Sequence, residues 1–306
     1  MSLDRLISKI VTTQNPTVLG LDPTLDYIPA ELKKEAYETF GKTLEGAADA
    51  LLRFNKALID AVYDIVPAVK PQAAFYERFG WQGVRALANT ISYAQSKGMY
   101  VIADCKRGDI GTTMEAYASA WLGSTTVESV SFTSFGVDAL TINGYMGTDC
   151  IEPSIKVCQE QDKGVFVLVK TSNPSSGELQ DLIVNGATVY EIIATLCDQW
   201  GAALPGKHGY SGVGAVVGAT YPEQLVELRQ KFPRLFFLVP GYGAQGGGGK
   251  DVAGAFDKDG IGAIVNASRS LMCAWQKAPN LSLVDATREE AIKMKNDINS
   301  GIGLER

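Results

Sequence analysis

Short apolar runs alternate with longer amphipathic segments along most of this chain. The runs are TVLGL (17–21), IVPAV (65–69), MYVIA (99–103), DALTI (138–142), VFVLV (165–169), VGAVV (213–217), LFFLV (235–239) and IGAIV (261–265). Each has strand length, and several are apolar nearly throughout, as expected of parallel strands covered on both faces. Between them the period changes to 3.6. Residues 45–64 carry apolar side chains at 47, 51, 54, 58, 61 and 62, and residues 81–98 end on Gly98 as a helix stop. Helical patterns also cover 186–200 and 220–232. Eight strands alternating with helices predict an α/β protein, a (β/α)8 TIM barrel, with 1–306 forming a single catalytic domain. Larger insertions fall near 105–137 and 171–212. An open doubly wound sheet is the competing arrangement that strand counting leaves open.

Composition narrows the function. The 306 residues carry a net charge of −6, so no global basic field recruits nucleic acid or an acidic membrane surface. The N-terminal MSLDRLISKI lacks the apolar core of a secretion signal, and no apolar run reaches the length of a spanning helix. Five cysteines, odd in number and without a C-x-x-C pair, argue against a disulfide framework and a thiolate zinc site. These features predict a cytoplasmic, reduced protein with neither membrane nor nucleic-acid partner. The single histidine, His208, sits in the Gly-rich segment LPGKHGYSG and reads as a solvated loop residue. Two-His metal sites are thereby excluded, and acid–base work falls to carboxylates and lysines.

The strand ends are where a barrel gathers its chemistry. Asp22 follows the first run and Lys70 the second. After the third, VIADCKRGDIG (101–111) brings Asp104, Lys106, Arg107 and Asp109 within six positions. Charges set against the tip of an apolar strand cost desolvation energy unless they are paired or serve chemistry. By itself this stretch fits either a solvated turn or a catalytic cluster. The last two loops add a second signal. PGYGAQGGGGKD (240–251) has six glycines, among them Gly241, Gly243 and Gly246, whose amides can approach an anion closely. NASRSL (266–271) puts Ser268 and Arg269 at the next helix N-terminus, so the two loops together predict a phosphate site. No dinucleotide-binding glycine fingerprint is present.

The segment Asp104-Cys105-Lys106-Arg107-Gly108-Asp109-Ile110 resembles the D-x-K-x-x-D-I signature of the orotidine 5'-phosphate decarboxylase family. Lys70, Asp22 in LGLDP, Ser172 in KTSNPSSG, Gln245 in PGYGAQGG and Arg269 in NASRS also fall in family order. The match runs from about 17 to 272 and is similar to the longer bacterial branch, with DCKRGDIG and TINGYMG variants; Gly111 stands where shorter members commonly have proline. The resemblance implies decarboxylation of orotidine 5'-monophosphate to UMP, the last step of pyrimidine-nucleotide synthesis, with no metal and no organic cofactor. It implies a charged network of Lys70, Asp104, Lys106 and Asp109, with Lys106 protonating C6. Asp22 and Lys70 would bind ribose, Ser172 and Asn173 the pyrimidine, and Gln245, Arg269 and loop amides the phosphate. It further implies a homodimer in which Asp109 and Thr113 reach the neighbouring site.

Three other functions compete. Magnesium-dependent sugar-phosphate decarboxylases and hexulose-phosphate synthases use D-x-K-x-x-D too, but need a metal-binding carboxylate where Lys70 stands. A Schiff-base aldolase would use Lys70, Lys106 or Lys170. The third alternative is a nucleotide-binding barrel without catalysis.

Overall fold

The computed structural model describes residues 2–243 and 247–304. Eight parallel strands close into a barrel: β1 (Thr17–Leu21), β2 (Ala68–Pro71), β3 (Tyr100–Arg107), β4 (Ala139–Ile142), β5 (Gly164–Lys170), β6 (Val213–Val217), β7 (Phe237–Pro240) and β8 (Ala263–Ala267). Neighbours follow chain order, and β8 closes on β1 through pairs such as Val18 with Asn266. Closure removes the open-sheet alternative. β1 and β6 are buried along their whole length, which accounts for their largely apolar sequences, and β8 is buried throughout as well although it carries Asn266.

The helices follow the 3.6-residue stripes. In Leu44–Val62 all six apolar positions of the stripe are buried, and Thr43 caps the helix by accepting from Gly46 N at 3.1 Å. The helix Gly80–Ser96 stops before Gly98, whose φ of +75° few other residues adopt. Val189–Gly201 begins at a Thr188/Glu191 capping box. Of the two insertions, the first contains the helix Gly111–Trp121 and a hairpin, Thr125–Val127 with Val130–Phe132. The second holds short helical turns, a small hairpin and the Val189–Gly201 helix.

Two layers of apolar packing result. One lies between the outside of the barrel and its helices. The other fills the barrel axis: Leu3, Leu6, Ile7 and Ile10 of the helix Ser2–Thr13 pack with Tyr100, Phe166 and Phe236, closing the N-terminal end. Burial of each such side chain stabilises by about 1.5–3 kcal/mol. Among the described residues, no helix is long and apolar enough to cross a membrane.

Candidate active site

Side chains alternate sides along a strand, so the inward positions can be counted two by two. Ala68, Ile102, Ala139 and Ile264 belong to the apolar axis of the barrel. Two residues further on, at the C-terminal strand ends, stand Lys70, Asp104, Thr141 and Asn266, all lining one cavity of about 690 Å³. Leu168, Val216 and Leu238 contribute apolar lining from the remaining strands. On β1 the corresponding inward residue is Gly20. A Cβ there would collide with Ser268 Oγ and come within 2.8 Å of Asn266 Oδ1.

Asp104 is the hub. Its Oδ2 accepts from Lys70 Nζ at 2.6 Å and Gln72 Nε2 at 2.9 Å. Its Oδ1 accepts from Lys106 Nζ at 2.6 Å and Thr141 Oγ1 at 2.9 Å. Burial alone would raise the Asp104 pKa, but the charges of Lys70 and Lys106 outweigh it and hold the carboxyl well below the usual carboxylate range. Burial would lower the Lys70 pKa, and the carboxylates of Asp104 and then Asp22 overcome it and raise it. Lys70 is buried, whereas the Lys106 side chain is 45% exposed and faces the cavity. The array therefore presents one accessible ammonium, backed by a carboxylate that stays ionised.

The rest of the lining suits a small anion. Asp22, Ser172, Asn173, Gly241, Ser268 and Arg269 all border the cavity. Three lining cations oppose two carboxylates, an excess of positive charge in a chain that is acidic overall. Asp22 Oδ1 and Asn266 Oδ1 are buried acceptors with no partner among the described residues, as expected where a ligand supplies the donor. Ser172 sits tight against β6, and a Cβ on Gly218 would come within 2.9 Å of Ser172 Cβ.

Several sequence expectations change here. Arg269–Met272 is a single helical turn, and Ser268 makes no side-chain cap. Its dipole contributes little, so the Arg269 charge and loop amides carry the phosphate argument. Gln245 and Gly246 lie outside the described residues; Gly243 is described but does not line the cavity. Asp109 is half-buried, accepts from Ile110 N at 2.8 Å, and stands apart from the network of its own barrel. Thr113 is exposed on the helix Gly111–Trp121.

Cys105 is a buried thiol whose pKa burial pushes up, which leaves it without nucleophilic character. Arg107 stacks 5.5 Å from the Tyr117 ring and 5.7 Å from that of Trp121 and pairs with Glu77 at 2.5 Å, tying the post-β3 helix to the post-β2 segment. His208 is half-buried near the N-terminal helix, 3.3 Å from Ser8 Oγ, at the end of the barrel away from the site. Lys170 pairs with Asp181 at 2.6 Å and does not border the cavity. Sequence reasoning missed Gln72, Thr141 and Asn266 as site residues. Their signal was a polar residue at an inward position of an apolar strand or just past its end.

Fold and site together define a β/α-barrel enzyme class with its chemistry at the strand C-termini. The chain belongs to the orotidine 5'-phosphate decarboxylase/HUMPS family, whose model matches residues 19–280. It is 44% identical to the orotidine 5'-phosphate decarboxylase of Rhodopirellula baltica over 96% of this chain and 97% of that one. Among solved structures it is similar to the OMP decarboxylase of Leishmania donovani, with a TM-score of 0.75, 31% identity, and 98% and 97% of the two chains covered. It is also similar to the UMP synthase of the same organism (TM-score 0.77, 33% identity), covering 98% of this chain and 56% of that longer one.

Proposed function

We propose that this protein decarboxylates orotidine 5'-monophosphate to UMP, acting through residues 1–306 as one catalytic domain. The observation that carries the reading is the Lys70–Asp104–Lys106 array, with both ammonium groups 2.6 Å from one carboxylate, in a family member's cavity. The bond from C6 to the substrate carboxylate breaks, CO2 leaves, and the electron pair remains on C6. Lys106 stabilises that developing charge and supplies the proton, and its neutral amine regains one from solvent. Asp104 holds the Lys106 ammonium in place through the 2.6 Å contact to its Oδ1. Asp22 and Lys70 bind the ribose, and Ser172 and Asn173 meet the base. Arg269, Gln245, Ser268 and the amides around Gly241, Gly243 and Gly246 take the phosphate, whose remote binding energy helps close the site.

An ultraviolet assay with orotidine 5'-monophosphate tests this directly, the expected result being loss of the substrate absorbance. No loss would overturn the reading. EDTA is expected to leave the rate unchanged, whereas a loss restored by Mg2+ would favour the sugar-phosphate alternative. A cation at Lys70 repels Mg2+ where that chemistry needs a carboxylate, which favours the metal-free reaction. Lys170, engaged with Asp181, is a poor Schiff-base nucleophile.

The working unit in this reading is a homodimer, with Asp109 and Thr113 reaching the neighbouring site. Ile110, Val127, Val130, Phe132, Tyr145 and Met146 are exposed apolar side chains in the loops after β3 and β4, the region that carries Asp109 and Thr113. Such a concentration of apolar surface favours association with a second copy. Mixing inactive Lys106→Ala and Asp109→Ala subunits should restore about a quarter of wild-type activity, since random pairing makes half the dimers mixed, each with one intact site. If no activity returns after subunit exchange, Asp109 serves its own barrel. We assign the protein to the cytoplasm, where five buried free thiols are at home.

A further inference from the structure

β3 and β4 do not run in step at the site. Ala103 pairs with Leu140, but the next pair is Arg107 with Ile142, so β3 takes four steps where β4 takes two. The extra residues form a bulge containing Asp104, Cys105 and Lys106, and Lys106 adopts a φ of +49° in the left-handed region. A lysine gains nothing intrinsic from that conformation, so neighbouring contacts have to hold it.

The amides of Cys105 and Lys106 find their partner in a side chain. Both donate to Thr141 Oγ1, each at 3.0 Å. The same hydroxyl donates its proton to Asp104 Oδ1 at 2.9 Å, the oxygen that also receives Lys106 Nζ at 2.6 Å. Thr141 is 1% exposed. A hydroxyl has one proton and two lone pairs, and here all three are engaged. Thr141 borders the cavity yet has no hydrogen-bonding capacity left for a substrate.

We infer that Thr141 is a positioning residue, whose hydroxyl holds the β3 bulge and Asp104 Oδ1 in one arrangement and so aims the Lys106 ammonium into the cavity. The consequence for turnover rests on Lys106 acting as the proton donor to orotidine 5'-monophosphate. The geometric part stands without it. Removing the hydroxyl leaves two amides without their partner and frees the bulge to relax, moving Lys106 while the remaining substrate contacts stay in place.

The test compares Thr141→Val, which keeps the shape and loses the hydroxyl, with Thr141→Ser, which keeps the hydroxyl. The valine variant should lose about 10- to 100-fold in kcat with KM within about threefold, and the serine variant should return kcat to within about threefold of wild type. A crystal structure of the valine variant should show Lys106 Nζ beyond about 3.5 Å from Asp104 Oδ1. If the valine variant does not fold, Thr141→Ala removes the same hydroxyl and carries the same expectations. Wild-type kcat without the hydroxyl, equal losses in the valine and serine variants, or an unmoved Lys106 would each overturn the inference. Should the wild-type protein not decarboxylate this substrate, the reaction assignment fails, and the Lys106 displacement still decides the role of Thr141.

Discussion

Lys106→Ala is expected to lower kcat by about 10⁴-fold or more, because one substitution removes both the proton donor and the cation beside the developing negative charge. The fold should survive. The Lys106 side chain is 45% exposed, and Asp104 keeps Lys70, Gln72 and Thr141 as partners after its loss. UMP should still bind within about fivefold of wild type, since Arg269, Asp22 and Ser172 border other parts of the cavity. The ultraviolet assay and calorimetric titration with UMP separate these effects. Near-wild-type turnover would remove Lys106 from the proton-donor role, and lost UMP binding would make it a binding residue.

Lys70→Met should damage stability and turnover together. Lys70 is 4% exposed and Asp104 10% exposed, so removing the ammonium leaves a buried carboxylate with less compensation. Breaking such a pair costs about 3 kcal/mol or more, equivalent to a fall in Tm of roughly 5 °C for a chain of this size. The lowered Asp104 pKa contributes stability that is present above the ordinary carboxylate value of about 3.9 and is lost as pH falls through its lower folded value. The raised Lys70 pKa contributes stability that is present below the ordinary lysine value of about 10.4 and is lost as pH rises through its higher folded value. Between about pH 5 and 9 both contributions are complete, so the deficit of the variant should be constant there and shrink on either side. Denaturant titrations at pH 3, 5, 7 and 9 measure this. A deficit that drifts between pH 5 and 9 would mean that the pair titrates within that range.

How much was legible beforehand depended on whether a residue's surroundings are local. TVLGL and VGAVV coincide with β1 and β6 because both faces of these strands are covered and their apolar runs end where burial ends. The run IVPAV begins before its strand: Ile65 and Val66 bond back to Val62 and finish the preceding helix, and β2 starts only after Pro67. The third apolar run ends at Ala103, and the charges that follow resemble a loop. In the folded chain they extend β3 to Arg107, their partners supplied by β2 and β4. Asp104 and Lys106 are legible as a charge cluster at a strand tip, and the D-x-K-x-x-D-I resemblance is what gives that cluster a role. Thr141 is not legible in this way, because a lone threonine inside DALTI is ordinary in a strand, and only the register of β3 against β4 gives it two amides to hold. The single-turn helix at Arg269 is unreadable for a related reason, since no glycine or proline marks its end at Cys273.

The apolar plug supplied by the helix Ser2–Thr13 has a kinetic consequence. With Leu3, Leu6, Ile7 and Ile10 filling the far end of the axis, the barrel is a blind well and not a conduit. Nucleotide and gas then share one doorway. In the proposed reaction the CO2 just released leaves through the same mouth as UMP, so escape of the gas along that path competes with recombination at C6. In a well of this shape, the residues around the mouth set how fast the released gas escapes and so how irreversible each turnover is.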